Sequence, residues 1–397
     1  MKKVNSILIV SLLILAGCGG GSKSGNIGIV VYEEYTPEID TFFTVDVRAN
    51  YPQKELILQD FMDVEYIALE TRDGFYCQGS VMAVGKDYIV VRNRVNDGDI
   101  YIFDINGKGL RKINRMGRGG EEYFIYFSVT LDEDNGELFV NDLNRQLVYD
   151  LYGNFKRSIP KNENNRFNFI HNFDREYFIC TWSSYADDKS TNQVLTIMSK
   201  QDGSIVEQFP IYFKEKKTTS ITAIGGGQGA SGPSQLPINR YHDNWIFSAL
   251  SSDTVFKFSQ DYSMTPLIVR TPSIQSMNPE VFLYTGIITD NYYFMKTVKK
   301  EYNFQTNSGF PSTHLMYDRK EKTIYEYTVY NDDFSTKSPV DMIQVAMSNE
   351  IAFWQKLEAD DLFDAYKVGH LKGKLKEIAA ILKEEDNPVI MLVKHKR

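Results

Sequence analysis

Cysteine is scarce in this 397-residue chain, which has three: Cys18, Cys77 and Cys180. That excludes a disulfide-built scaffold and a cysteine cluster for zinc. The five histidines, His171, His242, His314, His370 and His395, include no HxH or HExxH pair, so the linear sequence carries no metal signature. Also missing are a GxSxG elbow, a GK[ST] phosphate loop and a dinucleotide fingerprint with its third glycine and following helix. Positive charge is in the minority, 44 Lys and Arg against 52 Asp and Glu, for a net charge of −8. Nucleic acid is therefore not an expected partner. No run is apolar for long enough to cross a bilayer as a helix.

The amino-terminal residues read as an address. Lys2 and Lys3 precede a short apolar run over residues 7–15, the pattern of a secretory signal. The run ends in LAGC, residues 15–18, which resembles the lipobox of bacterial lipoproteins. In that motif small residues admit the signal peptidase, and the Cys18 thiol receives a diacylglyceryl group. The expectation is a signal peptide over 1–17, a lipidated flexible tether over 18–40 that begins GGGSKSGN, and a folded domain over 41–397. Cys77 and Cys180 lie in apolar, strand-like settings of non-adjacent repeats and are expected as free, buried thiols. No Pro-, Ser- or charge-rich linker interrupts the chain after residue 26, which favours one architecture.

What the chain has in quantity is aromatics, 25 Tyr and 25 Phe, and short apolar runs bounded by Gly, Asn and Asp. It also repeats. FDINGKGLRKIN at 103–114 returns as YDLYGNFKRSIP at 149–160, and MSKQDGSIVEQFP at 198–210 is a weaker third copy. An aromatic, an acid, a turn glycine and a basic strand recurring at this period indicate a propeller or solenoid. Five four-stranded units can be drawn. The first holds SVMAV, DYIVVRN, IYIFD and LRKIN; the fifth holds FLYTGIIT, NYYFMKTV, HLMYDR and TIYEYTVY. A sixth is assembled from IAFWQKLE, DAYKVG and PVIMLVKHK, with VEYIALE from the other end of the chain as its outermost strand. The predicted fold is all-β: a six-bladed β-propeller of four-stranded antiparallel blades, whose ring closes by pairing the two chain ends and so removes an exposed edge. Within the last blade, HLKGKLKEIAAILKEE at 370–385 places Leu371, Leu375, Ile378, Ala379 and Leu382 on one face of an amphipathic helix about four turns long.

VEYIALET, FDINGKGLRKINRMGRGGEEY, SDTVFKF and the terminal LKGKLKEIAAILKEEDNPVIMLVKHK resemble the six-bladed propeller lipoproteins of Bacteroides-type bacteria, relatives of the NHL-repeat propellers. The likeness spans nearly everything from about residue 40. One departure is GRGGEEY, where such relatives read GRGPGEY: Gly120 stands for a proline and Glu121 for a glycine. The resemblance implies the fold far more than an activity.

Candidate sites follow from where blade loops converge. MGRGGEEY reads as the connection between two blades, with Arg118, Glu122 and Tyr123 as candidates to face the central opening. His171 and Asn172 in the third unit, and Arg240 and His242 in the fourth, are placed near the starts of inner strands, where residues distant in sequence meet at the axis. Residues 225–237, GGGQGASGPSQLP, form a long polar loop. Hydrolytic propellers hold calcium on the axis through Asp, Asn and Glu oxygens. Here the first, second and fifth units offer Ser80, Ser128 and Tyr284 instead. The expected function is a non-catalytic binding module, without cofactor, for a glycan, a peptide or an envelope protein. It would be lipid-anchored through Cys18 in a Gram-negative envelope, with the periplasmic side favoured over the cell surface. The alternative is a metal-dependent hydrolase or lyase, with calcium as a candidate metal, using the same axial mouth.

Overall fold

The computed structural model describes residues 42–396, apart from 78–79, 94–96, 163–164, 183–190, 224–226, 235–236 and 347. The expected signal peptide, tether and Cys18 lie outside the described residues. Six sheets form the ring. The first blade comprises Ser80–Val84, Tyr88–Arg92, Asp99–Asp104 and Gly109–Asn114. The second comprises Tyr126–Asp132, Glu137–Asp142, Arg145–Asp150 and Phe155–Pro160. Phe169–Asn172, Tyr177–Thr181, Asn192–Ser199 and Ile205–Tyr212 make the third. The fourth is Ile238–Tyr241, Asn244–Phe247, Thr254–Phe258 and Met264–Thr271, and the fifth Val281–Ile288, Tyr292–Lys299, Ser312–Asp318 and Thr323–Tyr330.

Strand alternation explains how the ring coheres. Successive side chains of a strand point to opposite faces, and each blade has a neighbour on both. Ile89 and Val91 pack toward the sixth blade, with Ile390 and Leu392, while Val90 between them packs toward the second, with Val129, Leu131 and Val140. Phe139 and Val148 turn the other way, against Phe178 and Cys180 of the third blade. The Phe139 and Phe178 rings meet edge to face at 4.8 Å. Comparable cores join the third to the fourth, the fourth to the fifth and the fifth to the sixth. A strand buried on both faces has no polar side, which is why ELFVND and YFICT lack polar alternation. Cys77 and Cys180 are free and buried, as their settings predict.

The sequence repeat is a repeated turn. Asp104 accepts hydrogen bonds from the amides of Asn106 and Lys108, both at 2.9 Å, and Asp150 does the same for Tyr152 at 2.8 Å and Asn154 at 2.9 Å. The turn glycines Gly107 and Gly153 sit at φ +87° and +85°, which disfavours a side chain. In the third copy Ser199 replaces the aspartate, and its Oγ accepts more weakly, from Gln201 N at 3.2 Å and Asp202 N at 3.4 Å.

Closure occurs at the sixth sheet. Met62–Ala68, near the amino end, pairs antiparallel with Val389–His395, near the carboxyl end, which pairs antiparallel with Ile351–Leu357. VEYIALE is thus the outermost strand, as expected, but this sheet has three paired strands. Ile351–Leu357 runs parallel to the outermost strand, so it corresponds to a second strand in the other blades. Residues 341–346 occupy the axial edge instead. Met342 O accepts from Ile287 N at 2.9 Å, and Asn239 clasps the segment by donating to Gln344 O at 2.9 Å and accepting from Ala346 N at 2.6 Å. Gly286 admits this close approach, since a Cβ there would lie 2.2 Å from Met342 O.

Two expectations are corrected here. DAYKVG is not a strand: it belongs to the helix Ala359–Lys367, which has Asp360 and Asp361 in its first turn, Lys367 in its last, and Gly369 at φ +75° beyond its end. The predicted four-turn helix is shorter, Gly373–Ala379, because Leu371 is drawn into a bridge with Phe334 and Lys372 N donates to Asp333 O at 2.7 Å. The residues expected on the apolar face nevertheless turn inward, with Leu375 and Ala379 of the helix and the flanking Leu371 and Leu382 buried and Ile378 partly so. Among the strands not foreseen, two lie at the outer edges of blades. Phe43–Asp46 adds in parallel to the outer edge of the fourth blade, and Gln53–Ile57 to that of the fifth. Among the described residues no helix is long and apolar enough to cross a membrane.

Candidate functional site at the propeller axis

MGRGGEEY does connect two blades, from the outermost strand of the first to the innermost of the second, and it is tightly clamped. Arg145 donates from its guanidinium to the carbonyls of Gly120 at 2.9 Å, Gly119 at 2.8 Å and Glu122 at 2.7 Å. The Glu122 carboxylate accepts from Gly119 N at 2.8 Å and lies where a side chain on Gly117 would go. Tyr123 is fully buried between blades, donating its hydroxyl to Gly98 O at 2.6 Å and accepting from Arg115 N at 2.9 Å. Burial pushes its pKa up to about 12. Arg118 is exposed and lies 5.7 Å from the centre of the Phe124 ring. Phe124, Phe127 and Leu143 are each more than half exposed around this corner.

Each innermost strand of the first five blades is entered from an inter-blade connection and left by a tight turn. His171 and Asn172 close their strand, Arg240 is the third of four residues in its own, and His242 lies in the turn that follows. They stand at the ends of inner strands, not at the starts expected from the sequence, and so at the opposite end of the channel from Arg118, Glu122 and Tyr123. The structure brings His171, Asn172 and Arg240 together around an axial cavity of 410 Å³. Ser128 and Thr130 line it from the second blade, their side chains alternating with buried Val129 and Leu131. The turn Gly85–Lys86 and the segment Ser348–Glu350 complete the wall.

The polar groups of this cavity are unevenly satisfied. Nε2 of His171 and Oδ1 of Asn172 are buried with no hydrogen-bond partner, although Asn172 Nδ2 donates to Leu131 O at 2.7 Å. Buried polar atoms are normally paired, so these two are available to a ligand that enters the cavity. Burial, and secondarily the Arg240 charge, lower the His171 pKa to about 4, leaving a neutral imidazole at physiological pH. Arg240 lies 5.1 Å from the centre of the Trp245 ring, and Trp245 lies 5.7 Å from the His171 ring. Trp245 is itself buried, so it is a support and not a stacking platform. Two of its acids are already committed: Asp132 holds Lys200 at 2.7 Å, and Glu133 accepts from the amides of Lys86, Asp87 and Tyr88 at 2.6, 2.9 and 3.0 Å.

His242 turns away from the cavity. Its Nε2 pairs with Asp290 Oδ1 at 2.8 Å, and that oxygen also accepts from the Tyr241 hydroxyl at 3.0 Å. Burial works against the Asp290 charge, but the bonds from His242 and Tyr241 prevail and lower its pKa. The glycine-rich loop contributes Gly229–Ser231, paired with Ser220–Thr222; residues 224–226 and 235–236 lie outside the described set. A larger cleft of 680 Å³ lies off the axis between the fourth and fifth blades, lined by Arg48, Met277, Pro279 and Lys299 among others, and none of its lining residues carries a buried unpartnered atom. Among the described residues no three His, Cys, Asp or Glu side chains are grouped to hold a metal ion.

Trp245, Asn349 and Glu133 are site components that sequence reasoning missed. Trp245 lies in an apolar strand run that marks it as core, where it is buried, and nothing local marks the other two.

These features define a six-bladed β-propeller with a polar cavity on its axis. The chain belongs to the family described as Domain of unknown function (DUF4934), whose sequence pattern matches residues 42–394. Among solved structures it is similar to a Bacteroides fragilis protein described as exported, with 15% identity and a TM-score of 0.58 over 87% of this chain and 99% of that one. A DUF4221 family member from Bacteroides vulgatus matches with 12% identity and a TM-score of 0.42 over 85% of this chain and 99% of that one. Virginiamycin B lyase from Staphylococcus aureus matches with 11% identity and a TM-score of 0.34 over 84% and 100%. No curated protein matches the chain.

Proposed function

We propose that this chain is a lipid-anchored propeller of the Gram-negative envelope that binds a glycan, a peptide or an envelope protein at the mouth of its axial channel, without catalysis. The observation that supports the binding role is the 410 Å³ cavity whose wall holds the unpartnered His171 Nε2 and Asn172 Oδ1 beside Arg240. Sites of this kind combine an apolar wall with a few convergent polar groups. Filling the cavity tests the reading directly. Thr130→Trp, at a channel-facing position, is expected to weaken retention of ligands from a glycan array and a peptide panel by tenfold or more, with the melting temperature kept within a few degrees. Equal retention by both proteins, or none by the wild type, overturns it.

Anchoring rests on LAGC and its position after the apolar run, and the exported Bacteroides relative is consistent with an envelope address. The stretch after Cys18 lacks an acidic cluster of the kind that accompanies surface export, which favours the periplasmic face. Cys18→Ser is expected to move the protein from the membrane pellet to the soluble fraction. Retention of that variant in the pellet removes the anchor.

A further inference from the structure

Building on the axial-site reading, we propose that the cavity takes a carboxylate, gripped by the free edge of the Arg240 guanidinium with the His171 imidazole beside it. Arg240 is fixed on several sides. Its Nε donates to Asn349 Oδ1 at 2.6 Å and to His242 O at 3.3 Å, and Asn349 is in turn held by Asp243 at 2.7 Å. The Trp245 ring centre lies 5.1 Å from the guanidinium carbon. No described acceptor takes a hydrogen bond from Nη1 or Nη2, so the two nitrogens that suit a carboxylate are left for the cavity.

A partly buried cation is normally paired. Here the nearby anions are spent elsewhere: Asp243, whose charge acts on Arg240, accepts from Asn349, Asp132 holds Lys200, and Glu133 caps the turn of the first blade. Asp134 and Glu350 also line the cavity, but both are exposed and neither bonds Arg240. The missing partner is thus an anion. A neutral imidazole keeps one N–H, which suits a second contact to the same carboxylate. Asn172 Oδ1 is an acceptor and needs a donor, so the ligand carries a hydroxyl or an amide N–H near its carboxylate. Two sources share that chemistry: a sugar acid, and the carboxyl end of a peptide.

Titration calorimetry on the full chain in mild detergent, with paired probes, decides among these. Glucuronate is compared with glucose, and acetyl-alanyl-alanine with its carboxyl-terminal amide. One acid is expected to bind at least about tenfold more tightly than its neutral counterpart, the worth of a charge-assisted hydrogen bond. The pair that shows the difference identifies the source. Arg240→Lys keeps the charge but loses the planar fork, and is expected to weaken that acid by about tenfold or more. Indistinguishable binding of acids and neutral partners overturns the proposal, as does full affinity in a folded Arg240→Lys protein. Because the acid-to-neutral comparison is made on the wild type, it decides even if the variant does not fold. A neutral ligand lost in Thr130→Trp but unaffected by Arg240→Lys leaves the axial site standing and removes the carboxylate.

Discussion

Leu375→Asp is expected to destabilise the ring by about 4 kcal/mol or more, because it combines a large-to-small change in a core with an unpaired buried charge. Leu375 is completely buried among Leu58, Phe61, Phe353, Leu371 and Leu382. That cluster joins the carboxyl-terminal helix to the fifth and sixth blades, the place where the chain ends meet. The neighbouring change Ile378→Asp falls on a partly exposed side chain and is expected to cost about 1 kcal/mol, the scale of ordinary substitutions. Urea midpoints for the two variants make the comparison. Similar small shifts in both would show that the helix decorates the ring without supporting its closure.

Lys200→Met is the second large effect. Lys200 Nζ lies 2.7 Å from Asp132 Oδ2 and donates to Asp174 O, also at 2.7 Å, and the Lys200 and Asp132 side chains are 4% and 3% exposed. The ammonium therefore ties a hairpin of the third blade to the inner strand of the second. Removing one partner of such a pair leaves a buried charge uncompensated, at a cost of about 3–5 kcal/mol. Asp132→Asn combined with Lys200→Met removes both charges, and the double variant is expected to lose much less than the sum of the single losses. Additive losses in the full cycle would mean that the two groups do not act as a pair.

Much of the ring was legible in the chain. Strand positions in five blades follow from short apolar runs and from turns such as FDINGK, where an aspartate side chain caps the turn amides and a glycine takes the positive φ. These signals are local, and neighbouring blades do not change them. The pairing of VEYIALE with PVIMLVKHK could also be anticipated, because leftover strands at both ends of a repeat array have one economical arrangement. Reading failed where the signal was weak or tertiary. DAYKVG has Ala, Tyr and Val enough for a strand, but the preceding EADDLF supplies the acidic first turn of a helix and the following glycine its stop. The helix at Gly373 loses its first turn to a contact with Phe334, which lies far away in sequence.

The candidate site divides along the same line. His171, Asn172 and Arg240 were named for their place on inner strands, and they do meet at the axis, at the far end of those strands. His242 was named on the same grounds, yet its side chain pairs with Asp290, a choice made by the turn it occupies at φ +50°. Tyr123 was read beside exposed neighbours but packs between blades, where an aromatic with two backbone partners fits the core better than the channel wall.

The chain's own pattern determined the number of blades, the edges of most strands and the apolar face of the terminal helix, because period-two burial and turn chemistry act over a few residues. Folding in three dimensions decided the rest: the irregular segment along the axis, the added parallel strands, and the placing of the open edge of the Arg240 guanidinium at the same cavity as the unpartnered His171 Nε2. Those depend on six sheets closing into a circle, which brings side chains from different blades, His171 and Arg240 among them, to one cavity and leaves some polar groups without a protein partner.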